Sequence, residues 1–138
     1  MCAGLRRASR ALTQFYEEEL RPVGLRATQF TILQTLSLAG EVTQRQLGRM
    51  LVMDSTTLTR TLKIMIRHGW IRQRRGADRR EWRIRLSKNG EIQLKRALPR
   101  WEKAQARLRR QLGEGQWEAL RKLTDSVTNA VAEHGVTE

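Results

Sequence analysis

Arginine recurs where this chain could do chemistry. Between Asp54 and Leu86 stand ten basic residues (Arg60, Lys63, Arg67, Arg72, Arg74, Arg75, Arg79, Arg80, Arg83 and Arg85) against three acidic ones (Asp54, Asp78 and Glu81), which leaves a local balance of +7. The planar guanidinium fork meets a phosphate or a guanine edge with two parallel hydrogen bonds, whereas lysine acts mainly as a diffuse counter-charge. Directly after Asp54 come Ser55, Thr56 and Thr57, short hydroxyl side chains that let a backbone approach another surface closely. The chemistry implied is recognition of a polyanion, with no bond made or broken.

The parts for other chemistries are missing. A single cysteine, Cys2, excludes an intrachain disulfide and a thiolate metal cluster, and the two histidines, His68 and His134, lie far apart in the sequence. There is no glycine-rich phosphate loop, no pair of catalytic carboxylates in an apolar pattern, and no Ser or Cys nucleophile with a suitably placed histidine. No catalytic residue, metal or cofactor is expected. Glu17-Glu18-Glu19 read as a solvated helix face.

The whole chain has 138 residues, 27 Lys+Arg against 14 Asp+Glu, a formal net charge of +13, and 39% hydrophobic residues. That suits a folded, strongly basic domain with a core, or small lobes sharing a core in an oligomer. No apolar run approaches the roughly 20 residues that span a bilayer, and the start Met1-Cys2-Ala3-Gly4-Leu5-Arg6-Arg7 lacks a signal-peptide core. The expectation is a cytoplasmic, nucleoid-associated protein with no membrane partner.

Periodicity places the cationic segment within a succession of helices. Leu5, Ala8, Leu12, Phe15 and Leu20 predict a first helix ended by Pro22 and Gly24. Thr28 is the expected N-cap of a second helix carrying Phe30, Leu33, Leu36 and Leu38 and closing at Gly40. Thr43-Gln44-Arg45-Gln46 has capping-box spacing and opens a short third helix with Leu47 and Leu51 inward. Asp54 caps a fourth helix running to about His68, with Gly69 after its end. Its buried face is Leu58, Leu62, Met65 and Ile66, which leaves Ser55, Thr56, Thr57, Arg60, Lys63 and Arg67 outside.

The period then changes to two at Trp82, Ile84 and Leu86, the mark of a half-buried strand. Trp70 to Arg74 is its expected partner, and Arg75 to Arg80 the turn between, with Gly76 available for positive φ and Asp78 for turn hydrogen bonds. Ser87 caps a fifth helix through Ile92, Leu94, Leu98, Trp101, Ala104, Leu108 and Leu112, kinked at Pro99 and broken by Gly113 and Gly115. A sixth follows through Trp117, Leu120, Val127 and Val131 to the polar end Glu133-His134-Gly135.

A short helix, a turn and a second helix with small polar residues at its start form a helix-turn-helix, and the basic hairpin behind it would be a wing. Four segments resemble the MarR family of winged helix-turn-helix transcription regulators. They are Leu25-Arg26-Ala27-Thr28-Gln29-Phe30-Thr31-Ile32-Leu33, Val42-Thr43-Gln44-Arg45-Gln46-Leu47, Asp54-Ser55-Thr56-Thr57-Leu58-Thr59-Arg60, and Asp78-Arg79-Arg80-Glu81-Trp82-Arg83-Ile84-Arg85-Leu86-Ser87. The last looks like the family's Asp-x-Arg wing signature.

The resemblance implies a mainly α fold with a small β-hairpin wing (α+β). Residues 25–87 would be the winged helix-turn-helix domain, and 1–22 and 88–138 a helical dimerisation region of one MarR-type domain. The partners implied are double-stranded DNA and a second copy. Long helix stripes that a small lobe cannot cover agree with a homodimer. By the family pattern Ser55, Thr56, Thr57, Arg60 and Lys63 face the major groove, and Arg80 enters the minor groove. Arg74, Arg75, Arg79 and Arg83 supply further wing contacts, while Thr43 and Gln44 offer a helix N-terminus to phosphate. Asp78 either pairs with a nearby arginine or caps the turn.

The function implied is that of a sequence-specific regulator, read as a repressor at a pseudo-palindromic operator and released by a small amphipathic or phenolic ligand. Phe15, Phe30, Leu33 and Trp101 are the candidate lining residues, with a plain core role as the competing reading. The alternative function is a non-specific nucleoid-type or RNA-binding architectural protein. Cys2 is expected to be a frayed terminal thiol, since Ala27 and Phe30 stand where oxidant-sensing relatives carry tyrosines. His68 is read as a cation near a helix C-terminus.

Overall fold

Local capping chemistry decides where the chain breaks into elements. A computed structural model of the protein describes residues 1–132, so the expected polar end at Glu133-His134-Gly135, His134 included, lies outside the described residues. The elements are α1 (Cys2–Leu20), a 3-10 turn (Arg21–Val23), α2 (Ala27–Ala39), β1 (Val42–Thr43), α3 (Gln44–Leu51), α4 (Ser55–Arg67), β2 (Ile71–Arg75), β3 (Trp82–Leu86), α5 (Lys88–Leu112) and α6 (Glu114–Ala132).

Three expected caps are present. The Gln46 N–H donates to Thr43 Oγ1 at 3.0 Å while Gln46 Oε1 accepts from the Thr43 N–H at 2.8 Å, closing the box on α3. The Thr57 N–H reaches both carboxylate oxygens of Asp54 at 3.3 Å. The Gly90 N–H donates to Ser87 Oγ at 3.0 Å. The fourth differs, because α2 starts at Ala27 with Arg26 as its N-cap. Its early amides are met from elsewhere: the Arg26 N–H by Gln29 Oε1 at 2.9 Å, and the Ala27 N–H by Glu17 Oε1 at 3.2 Å. Thr28 is therefore an exposed first-turn residue.

Other departures have simple causes. Leu38, expected inward, is 85% exposed, while Ile32 is fully buried; two residues past Leu36 turn a helix by about 200°, away from the core. Gly113 alone breaks the fifth helix, with φ of 78°, and Gly115 lies inside α6. Pro99 sits within α5, which continues on both sides. Gly76 does not take positive φ. A Cβ there would stand 2.9 Å from Glu81 Oε2, the far end of a flexible exposed side chain, and 3.1 Å from Glu81 Cβ, so it crowds the hairpin only mildly.

The sheet has order β1-β3-β2 and both pairings are antiparallel. β1 is two residues long, too short for a period to announce it, and pairs Val42 with Ile84. The second strand begins at Ile71, one residue later than expected, because the Trp70 N–H is held by the Met65 carbonyl as α4 ends.

Two units divide the chain. The first, Met1–Trp101, contains the helix-turn-helix, the sheet, α1 and the start of α5. Its core joins Leu20, Ile32, Leu33, Leu47, Leu58, Met65 and Ile84. The second begins at Glu102 and holds the rest of α5 with α6. Within it Ala104 is buried, Arg109 and Glu114 form an ion pair, and Leu123, Val127 and Val131 are exposed.

Candidate nucleic-acid interface

α4 is fixed from below and from its start. Leu58, Leu62 and Met65 anchor one face in the core, and Asp54 holds the first turn by accepting from the Thr57 amide and, at 2.6 Å, from the Thr57 hydroxyl. A carboxylate at a helix N-terminus also favours the helix dipole. The opposite face presents Ser55, Thr56, Arg60 and Lys63, all exposed as expected. Thr57 is exposed too, but its hydroxyl proton is engaged by Asp54.

α3 braces this face. Gln44 Nε2 donates to Thr59 Oγ1 at 2.9 Å, tying the first residue of α3 to the exposed side of α4. Thr59 was not singled out by sequence reasoning; its i+4 spacing from Ser55 and i+3 spacing from Thr56 was the available signal. Thr43 is nearly buried, its hydroxyl occupied by the capping box. Between α3 and α4, Val52 adopts φ 50° and ψ 48°, a left-handed conformation that β-branched residues rarely take.

In the hairpin, several of the expected contact residues turn out to shape the wing. Asp78 Oδ1 accepts from the Arg80 N–H at 3.0 Å, so it caps the turn. Arg75 lies 3.7 Å over the Trp82 ring and donates to the Arg79 carbonyl at 2.6 Å. Arg74 makes a two-pronged pair with Glu41, at 2.6 and 2.9 Å. Those bonds hold the Glu41 carboxyl below the usual carboxylate range and raise Arg74. Glu41, 33 residues away in sequence, carried no local signal of this role. Arg79 and Arg80 stay exposed at the tip, and Arg83 is half-buried opposite Thr43.

The four candidate ligand-lining residues differ in their packing. Phe30 and Leu33 are packed core residues. Trp101 is half-buried and stacks on Phe30, 5.6 Å between centroids. Phe15, also half-buried, meets Tyr16 edge-on. Cys2 is exposed, and His68 stacks on Trp70 at 4.3 Å. Among the described residues no group of three or more His, Cys, Asp or Glu could hold a metal ion, and no helix is long and apolar enough to cross a membrane.

Residues 25–82, the segment that builds this surface, match the MarR family. Over 95% of both chains, the protein is 37% identical to the Mycobacterium tuberculosis transcriptional regulator MosR, solved in complex with DNA, with a TM-score of 0.86. The chain belongs to the MarR family. It is also 32% identical over 87 residues to an uncharacterized HTH-type transcriptional regulator of Bacillus subtilis, YwoH. That match covers 63% of this chain and 64% of the relative, so the chain spans less than two thirds of that relative's length. A single-residue mutant of MarR from E. coli, crystallised with operator DNA, shares the fold over 89% of each chain, with a TM-score of 0.81 and 22% identity. As a MarR-family member the protein is a transcriptional regulator and not an enzyme.

Proposed function

We propose that the protein binds a pseudo-palindromic operator in double-stranded DNA as a homodimer and represses transcription there, in the cytoplasm at the nucleoid. The observation that carries this is the exposed Ser55-Thr56-Arg60-Lys63 face of α4, held by the Asp54 cap beside a basic wing tip. Such a helix fits the major groove, where Arg60 meets a guanine edge and Ser55 and Thr56 reach bases or phosphates. Arg80, with Arg79, lies at the tip that enters the flanking minor groove. Gln44 and Lys63 serve the phosphates beside them.

Two further observations support the reading. MosR, to which this chain is similar throughout, was solved on DNA. Leu5 on α1, and Leu123, Val127 and Val131 on α6, are exposed in one copy of the chain, as the buried face of a dimer would be. Release by a small amphipathic ligand belongs to the same reading, with the half-buried rings of Phe15 and Trp101 as its contacts; quenching of tryptophan fluorescence by a phenolic titrant that also dissociates DNA tests it, and dissociation without quenching counts against these residues.

Selection of binding sites from random duplex DNA at physiological salt tests the main reading. A palindromic winner with half-sites about 10 base pairs apart, preferred at least roughly 1,000-fold over scrambled sequence, is the expected result. The absence of a winner, with affinity that only collapses as salt rises, would make the protein a charge-driven architectural one.

A further inference from the structure

β2 is an open edge. Among the described residues the order β1-β3-β2 leaves its outer side without a partner strand. The Ser87 N–H donates to the Trp70 carbonyl and the Gly76 N–H to the Glu81 carbonyl. In the register that pairs Arg72 with Arg85 and Arg74 with Arg83, the ladder bonds therefore fall on even-numbered residues of β2. The backbone N–H and C=O of Ile71 and Gln73 point outward. Along that side runs an open groove of about 750 Å³, lined by Ile71 to Arg74 in succession, with Ile66 of α4 and Asn89 of α5 beside them.

The side chains along this edge are of two kinds. Residues directly opposite each other share a face, so Arg72, Arg74, Arg83 and Arg85 form one cationic face of the hairpin. Among the described residues the carboxylate bonded to it is Glu41, on Arg74. Like charges placed opposite each other cost a sheet stability, and an added anion relieves that cost. The other face carries Ile71, with Ile66 and Trp82 as further apolar lining of the groove.

An open strand edge invites any extended chain, and charges on it choose among them. A second β2 would bring its own arginines against these and is rejected. A strand with carboxylates at alternate positions is attracted, because its side chains repeat about every 6.6 Å on one face, the interval between Arg72 and Arg74. A nucleic-acid backbone matches the charge and can accept from an outward amide, but its phosphates have no donor for the outward carbonyls of Ile71 and Gln73 and no use for an apolar floor. We propose that the β2 edge receives an extended acidic segment of a partner protein as a fourth strand. Its carboxylates lie towards Arg72 and Arg74, and its alternate small apolar residues lie towards Ile66 and Ile71.

Fluorescence anisotropy with the full chain and a labelled nine-residue peptide of alternating glutamate and valine tests this. Saturable binding is expected, weakened at least tenfold by the Arg72→Ala/Arg85→Ala double variant. Methylating the peptide nitrogens at the glutamate positions, or instead at the valine positions, gives two probes of which only one turns its methyl groups towards β2. One is expected to bind and the other to fail. Gln73→Pro removes an outward N–H without breaking the ladder and is expected to abolish binding; should that variant not fold, the methylated pair decides alone. Equal binding of both methylated peptides overturns strand addition. A double variant that loses affinity for random duplex DNA but keeps the peptide assigns the face to nucleic acid and overturns it too.

Discussion

Gly90→Ala tests how α5 is seated on the winged lobe. A Cβ at Gly90 would stand 2.0 Å from the Trp70 carbonyl oxygen, 2.9 Å from its carbon and 3.1 Å from Leu86 Cδ2, whereas real Cβ contacts stay beyond 3.0 Å. The obstacle is backbone, so α5 must retreat by about 1 Å or the turn after α4 must move. Either motion strains the Ser87 N–H bond to the Trp70 carbonyl at 3.0 Å and the Ser87 hydroxyl bond to the Gly69 carbonyl. Each is worth about 1 kcal/mol, and loosened packing of Leu94 and Ala97, both buried, adds about 1–3 kcal/mol. Against this, alanine favours a helix by about 1 kcal/mol over glycine. The net expectation is a loss of about 2–4 kcal/mol, a fall in Tm of roughly 10 °C, read by urea and thermal unfolding at matched protein concentration. Gly115→Ala in α6, where a Cβ meets nothing within 4 Å, is the control and should leave stability equal or raise it by up to about 1 kcal/mol. A Gly90→Ala protein as stable as the parent would refute the close approach.

Four other variants probe the interface and its supports. Thr56→Ala with Arg60→Ala should lower discrimination between operator and scrambled DNA by about 1–3 kcal/mol per lost base contact, and retained discrimination in gel-shift titrations counts against α4 as the reading helix. Arg80→Ala should relax A·T preference flanking the operator if its tip position places it in a narrow minor groove; a selection profile identical to the parent's removes the wing from base readout. Glu41, lowered first by its hydrogen bond to Arg74 and then by the Arg74, Arg83 and Arg85 charges, contributes stability that is complete above its ordinary value of 4.5. That contribution fades as pH falls through the lower folded value, so Glu41→Gln should be less stable at neutral pH and approach the parent below that point; a gap constant with pH contradicts the pairing. Val52→Gly removes a left-handed β-branched residue and should raise stability by about 1 kcal/mol in urea unfolding, net of the added chain entropy.

What was legible in the sequence was local. The Thr43–Gln46 box, the Asp54 cap and the Ser87 cap each join residues three apart, so a single stretch of chain carries the whole signal. The exposed face of α4 followed likewise, because a helix repeats every 3.6 residues and its apolar positions leave only one side for hydroxyls and cations. What was not legible joins distant residues. The Thr28 cap gave way to Glu17, which α1 brings up. β1 exists only because β3 lies beside it. Gly76 read as a glycine for positive φ, but it does not take that conformation, and what a Cβ there would meet is the Glu81 side chain across the hairpin.

The same distinction sorts the arginines. Their number pointed to a polyanion, yet composition treats all nine between Asp54 and Leu86 as equivalent. In the fold Arg75 covers Trp82 and Arg74 is paired with Glu41, so both stiffen the hairpin that carries the tip. Rigidity matters there because a wing already in its bound shape loses less conformational entropy on meeting DNA. The residues that shape the wing and those that contact DNA should then separate by salt dependence. Loss of Arg80 or Lys63 lowers the slope of log affinity against log salt by about one phosphate each. Loss of Glu41 adds no phosphate contact of its own, but releases Arg74 and loosens the hairpin, so affinity shifts without the slope falling.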